Sequence, residues 1–158
     1  MKSKKIFIGE FIGSCFLVMI IVGSGIMAQN LTDDVAVMLI ANTLATGAGL
    51  FVLITSIGDI SGAHFNPVVT LAMYFTNKIK KNLIIIYISA QILGCMLGVM
   101  LANFMFDLPL LQLSEKIRPG INIFTAEIIA TFGLIFVIFG SLKSGKLAVA
   151  SSVATFIT

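Results

Sequence analysis

The sequence predicts an all-α membrane protein: an inverted repeat of transmembrane helices with one re-entrant half-helix. Three observations predict it. Of 158 residues, 58% are hydrophobic and 11% charged, against about 45–50% and about 25% in a soluble domain. Long runs with one charge or none are separated by short charged connections. A helix-sized segment also recurs at a fixed offset. Mean hydropathy is +1.10, more apolar surface than a soluble core of this size can hide. Composition therefore excludes a soluble enzyme, a nucleic-acid binder and a disordered chain. The net charge of +3 implies no polyanionic partner, because the basic residues sit in connections and at one terminus. The partner that composition demands is the lipid bilayer.

The spans follow in order. Residues 6–28 form a run of 23 with one charge, Glu10, and residues 35–58 a run of 24 with none. Residues 82–106 give 25 with none, and residues 121–142 give 22 with one, Glu127. Each is long enough to cross about 30 Å of hydrocarbon at about 1.5 Å per residue. A fifth apolar run, residues 147–158, has only 12 residues. It reads as a helix cut within the membrane, so the expectation is that the chain is part of a longer protein. Lys2, Lys4 and Lys5 resemble the start of a secretory signal, but the apolar run after them is too long and carries a carboxylate. Cys15 and Cys95 both sit inside apolar spans and read as small buried hydrophobes.

Orientation follows from the basic residues. Lys2, Lys4, Lys5, Lys78, Lys80, Lys81, Lys143 and Lys146 fall on one side. Lys116 and Arg118 fall on the other, with Asp33, Asp34, Asp107 and Glu115. The expectation is a multi-pass protein of the cell membrane with a cytoplasmic amino terminus.

That orientation leaves residues 60–77 to depart from and return to the same side, although 18 residues there carry no charge. The middle of this stretch reads Ser61-Gly62-Ala63-His64-Phe65-Asn66-Pro67-Val68-Val69-Thr70. Asn favours the N-cap and Pro the first helical position. A helix is therefore predicted from Asn66–Pro67 to about Thr76, about 16 Å or half the hydrocarbon thickness. Extended backbone over residues 59–65 would dip to mid-membrane ahead of it. Such backbone is tolerated only inside protein or along a water-filled cavity. A surface amphipathic helix is the alternative, but the segment lacks a polar face.

The repeat lies at an offset of 127 − 10 = 117. It carries Phe7 to Phe124, Glu10 to Glu127, Ile12 to Ile129, Leu17 to Leu134 and Gly23-Ser24 to Gly140-Ser141. Three spans separate the starts of the two copies, so the copies are inverted across the membrane, an arrangement found in transporters. The whole is read as one domain over residues 1–158, with a first repeat of about 1–106 and the opening of a second over about 121–158. Glu10 and Glu127 are expected to accept hydrogen bonds from backbone N–H groups of re-entrant loops. The alternatives are a neutral hydrogen-bonded acid and a proton relay, which no further ionisable groups accompany.

The ten residues from Ser61 to Thr70 closely resemble the first signature of the major intrinsic proteins, the aquaporins and aquaglyceroporins. That signature usually reads Asn-Pro-Ala, and here it is Asn-Pro-Val. The contexts of Glu10 and Glu127 match the same family, and the resemblance covers the chain as the amino-terminal two-thirds of a bacterial member. It implies six membrane helices, two half-helices and a homotetramer with a pore in each subunit. It further implies that this chain lacks the second signature and the filter arginine behind it, so the 158 residues alone are expected not to conduct. Asn66 would offer its side-chain amide to a solute at mid-pore, and Pro67 would start the half-helix. Val68 would sit at the neck, and carbonyls of Gly62, Ala63 and His64 would line the pore. The ring of His64 is open to two readings, pore lining or a structural imidazole bonded to Glu10 or Glu127.

Within the family, the residue 20 positions before the signature asparagine helps form the outer filter, which is Thr46 here. Water-selective members carry a bulky aromatic there. Threonine implies a wider filter for glycerol-like solutes or metalloid acids. The segments 23–28 and 42–47 look like a bacterial branch linked to arsenite permeation. The expected function is thus a passive channel for water or small uncharged solutes, without cofactor or metal. The alternative is an ion- or proton-coupled transporter, which needs more midplane charges than these. An intramembrane enzyme built on His64 would lack a nucleophile–base pair, and one histidine without clustered ligands makes no metal site.

Overall fold

The computed structural model describes residues 2–112 and 120–158. Glu115, Lys116 and Arg118, used above to orient the chain, lie outside the described residues. Helix α1 spans Lys2–Leu31, α2 Val35–Ser61, α3 Pro67–Phe75, α4 Lys81–Met105, α5 Ile121–Ser141 and α6 Lys146–Ile157, with a 3-10 turn at Leu142–Ser144 before α6. Four of these, at α1, α2, α4 and α5, are long and apolar enough to cross a membrane. The protein is a multi-pass membrane protein. Its outer faces carry large apolar side chains such as Ile8, Phe16, Leu39, Ile85, Phe104, Phe132 and Phe136.

Local chemistry sets the helix ends. Asp34 caps α2, its Oδ1 accepting from Ala36 N at 2.8 Å and Val37 N at 3.3 Å. A carboxylate at that position also suits the positive end of the helix dipole. At the other end α2 runs on to Ser61, where extended chain from residue 59 was expected. Gly62 explains the difference. Its φ of 101° makes it a left-handed C-cap, and its N–H returns to the Gly58 carbonyl at 2.9 Å. A glycine there ends a helix instead of joining an extended loop. The re-entrant chain is only residues 62–66.

The closest packing is between α1 and α4. Ala90, Gly94, Gly98 and Ala102 recur every fourth residue on the buried face of α4. A Cβ at Gly94 would lie 2.3 Å from the Phe11 carbonyl oxygen, and one at Gly98 would lie 2.4 Å from that of Cys15. Small residues at this spacing let membrane helices meet backbone to backbone. On its other side α1 meets α2, where Asn42 Nδ2 donates to the Ile21 carbonyl at 2.7 Å and to Ser24 Oγ at 3.0 Å. Leu50, Leu53, Ile54 and Ile57 of α2 then join Phe65, Val69 and Met73 of the re-entrant segment, Ile138 of α5 and Val153 of α6 in one apolar core. Cys15 is buried, Cys95 is half-buried, and both are free thiols.

Candidate functional site

The half-helix α3 has nine residues, about 14 Å at the helical rise. Asn66 is its N-cap and Pro67 its first residue. Oδ1 of Asn66 accepts from Val68 N at 2.7 Å and Val69 N at 3.4 Å. With the oxygen held by the backbone, the amide nitrogen occupies the opposite branch of the side chain and keeps its donors free. Immediately before the cap the chain is strained. Ala63 has φ 51° and Phe65 φ 47°, values that cost non-glycine residues about 1–3 kcal/mol each and persist only where the surroundings over-determine them.

Glu10 supplies that determination. It is wholly buried, and its two oxygens receive four donors. Oε1 accepts from Ser61 Oγ at 2.6 Å and from His64 N at 3.0 Å, and Oε2 accepts from Phe65 N at 2.8 Å and Gln91 Nε2 at 2.8 Å. Four donors on two oxygens match an acceptor-only carboxylate. The network extends outward. Ser61 Oγ accepts from Ala63 N, and Gln91 Nε2 also reaches Thr70 Oγ1 at 3.1 Å. Thr70 Oγ1 lies 3.1 Å from Nδ1 of His64, whose ring stacks on Tyr87 with centroids 4.4 Å apart. The Tyr87 hydroxyl donates to the Ser61 carbonyl. The imidazole is thus tied to a hydroxyl and an aromatic ring rather than to a carboxylate. Glycines on α1 let the loop come this close. A Cβ at Gly13 would fall 1.9 Å from the Phe65 ring, and one at Gly9 2.9 Å from Ser61 Cβ.

The loop faces a cavity of about 210 Å³, ample for water and small solutes. Gly62, Ala63, His64 and Asn66 contribute its backbone and polar groups, with Thr46 of α2, while Phe65, Val69 and Met73 of the re-entrant segment and leucine, isoleucine and valine from α1, α2, α5 and α6 supply its apolar lining. Among the described residues no donor bonds the carbonyls of Gly62, Ala63 or His64. Thr46 is buried and donates Oγ1 to the Asn42 carbonyl at 2.8 Å. A second, wider cavity lies toward the lysine-rich end, walled by Asp59, Tyr74, Tyr87 and several lysines.

Of the residues singled out from sequence, Gly62, Ala63, His64, Asn66 and Thr46 therefore share one cavity, and Glu10 stands behind the loop. Val68 is 46% exposed and does not line that cavity. Glu127 is exposed on α5, and among the described residues it has no hydrogen-bond partner. Sequence reasoning missed Ser61, Thr70, Tyr87 and Gln91, as well as Gly9 and Gly13. The available signal was Gln91 itself, a polar side chain inside a charge-free span, which needs a partner in the membrane.

A family model described as major intrinsic protein matches residues 1–158. The chain belongs to the major intrinsic proteins. Among relatives of this family, the aquaglyceroporin AqpS of Rhizobium meliloti (strain 1021) is 43% identical over 151 residues, covering 96% of this chain and 65% of that protein. The aquaporin NIP3-1 of Arabidopsis thaliana is 36% identical over 140 residues, 83% of this chain and 43% of its own. The chain thus spans less than two-thirds of the length of either. The solved aquaglyceroporin of Plasmodium falciparum superposes with a TM-score of 0.82 at 24% identity, over 98% of this chain and 70% of that one. It shares the fold. Members of the major intrinsic proteins sit in membranes and carry water and small solutes.

Proposed function

We propose that the chain contributes to a passive channel for water and small uncharged solutes, of glycerol-like or metalloid-acid type. The observation that carries this reading is a cavity in which a few polar backbone and side-chain groups of one re-entrant segment meet an otherwise apolar lining. A solute there exchanges water for the free amide of Asn66 and the uncommitted carbonyls of Gly62, Ala63 and His64, and slides along an aliphatic wall. The amino terminus of α3 points positive charge into the cavity, which opposes cations and protons. Glu10 lies behind the loop with its oxygens fully engaged, which speaks against ion- or proton-coupled transport. A nucleophile–base pair for an enzyme is missing from the described cavity wall.

In this reading Pro67 starts the half-helix and Thr46 sets a filter wider than an aromatic would. The names of the relatives, aquaglyceroporin and aquaporin, support the solute class. Residues 1–106 form one repeat and 121–158 open its inverted copy, in which Glu127 anchors a second loop. The protein is a homotetramer in the cell membrane with its amino terminus in the cytoplasm, since eight lysines gather on that face. Stopped-flow light scattering tests the reading, using proteoliposomes made with the full-length protein and compared with empty liposomes. Glycerol or arsenous acid flux that rises linearly with concentration and ignores a proton gradient is the expected result. Saturating flux driven by a proton or sodium gradient would overturn it.

A further inference from the structure

The inner cavity and the lysine-rich vestibule meet at Gly62, His64, Met73 and Leu142, which line both. Three of these belong to the re-entrant segment that Glu10 fixes. Leu142 is held differently. It opens the 3-10 turn Leu142–Ser144, which ends at Gly145 with φ 92°. The turn's own bond, Gly145 N to the Leu142 carbonyl, is 3.5 Å long, near the limit for any hydrogen bond. One residue further on, Lys146 Nζ forms an ion pair with Asp59 of α2. The lysine stem also lies over Gly58, where a Cβ would meet Lys146 Cδ at 3.0 Å.

We infer that the Asp59–Lys146 ion pair sets the position of Leu142 in a neck between vestibule and inner cavity, making both charged residues positioning residues for passage. This rests on the channel reading of the same cavity. Asp59 is the acidic side chain on a vestibule wall that also carries Lys2, Lys78, Lys80 and Lys81. Its pairing with Lys146 joins the end of α2 to the start of α6 and carries the turn across the mouth. The side chains of Lys146 and Asp59 are 39% and 80% exposed. A pair so open to water is weak and screened by salt, so it shifts the neck between arrangements without locking it.

The test reads access to the neck and not flux. Cys15 and Cys95 are replaced by Ala, and Val69→Cys places one thiol on the inner wall, on an element that carries neither partner. Asn82→Cys, on the vestibule wall, is the control. A small membrane-impermeant methanethiosulfonate is applied to each face of oriented vesicles in turn. Asp59→Asn and Lys146→Gln are each expected to speed modification at position 69 from the lysine-rich face by about threefold to fivefold, the upper part of the span an exposed ion pair supports. Position 82 should not change. The double exchange Asp59→Lys with Lys146→Asp should restore the original rate. Leu142→Ala should speed modification by itself and abolish any further effect of Asp59→Asn. Unchanged rates in the single variants, no rescue by the exchange, or no modification at position 69 even with Leu142→Ala would overturn the inference. A protein that shows this labelling but no solute flux keeps the neck and loses the channel.

Discussion

Replacing Glu10 removes the acceptor on which the re-entrant loop is built. In Glu10→Ala, the backbone N–H groups of His64 and Phe65 lose their partners, while Gln91 Nε2 keeps Thr70 and the Ser61 hydroxyl can rotate. Two buried amides left unpaired cost about 1–3 kcal/mol each. The left-handed Ala63 and Phe65 add strain that nothing then offsets. A loosening of the loop by about 3 kcal/mol corresponds to about a hundredfold faster opening of its amides. Glu10→Gln keeps one accepting oxygen but turns an N–H2 toward two donors, so about half of that effect is expected. Hydrogen exchange followed by mass spectrometry in nanodiscs measures this directly on the peptide spanning residues 61–66, with a peptide from the middle of α4 as reference. The α4 peptide should stay protected in both variants. Loop exchange in Glu10→Ala within about threefold of the parent, a difference too small for one lost buried hydrogen bond, would mean that Glu10 does not hold the loop.

Other changes separate packing from anchoring. Gly94→Ala drives a methyl group to 2.3 Å from a backbone oxygen of α1, and a loss of about 1–3 kcal/mol or more is expected as a lower melting temperature in detergent. Gly13→Ala drives a methyl group to 1.9 Å from the ring of Phe65, which is buried in the core, so a loss of about 1–3 kcal/mol is expected and appears as faster exchange of the loop. Asn42→Ala removes two contacts between α1 and α2, and a loss of about 0.6–1.7 kcal/mol should show in steric-trap unfolding. Tyr87→Phe frees the Ser61 carbonyl, and a loss of about 1 kcal/mol is expected in the same assay.

The spans were legible because bilayer thickness fixes helix length and charge avoids hydrocarbon. The half-helix was legible because Asn66–Pro67 carries its start signal. The path of the loop was less so. Ala63 and Phe65 seldom take positive φ, so the sequence suggested extended chain, and only the anchor on α1 makes the left-handed geometry affordable in this structure. The α2 boundary hinged on whether Gly62 caps a helix or opens a loop, which its neighbours in sequence do not decide. The network around Glu10 joins residues 51 to 81 positions apart. Periodicity marks which residues face inward but does not pair them, so Ser61 and Gln91 stayed hidden while Glu10, the charge, stood out. Glu127, exposed and without a hydrogen-bond partner among the described residues, stood out for the same reason, as a charge repeated at a fixed offset.

On the proposed function Asn66 does two separable things: its oxygen caps α3 and its amide faces the solute. Asn66→Asp tests this most directly, because aspartate caps a helix as well as asparagine but has no amide donor. Solute flux and hydrogen exchange at Val68 and Val69 should be measured on the same sample. Flux lowered by about tenfold or more, the factor that about 1.4 kcal/mol represents for a lost donor, with exchange at both amides unchanged, is the predicted result. Unchanged flux alongside unchanged exchange would show that the amide of Asn66 plays no part in passage.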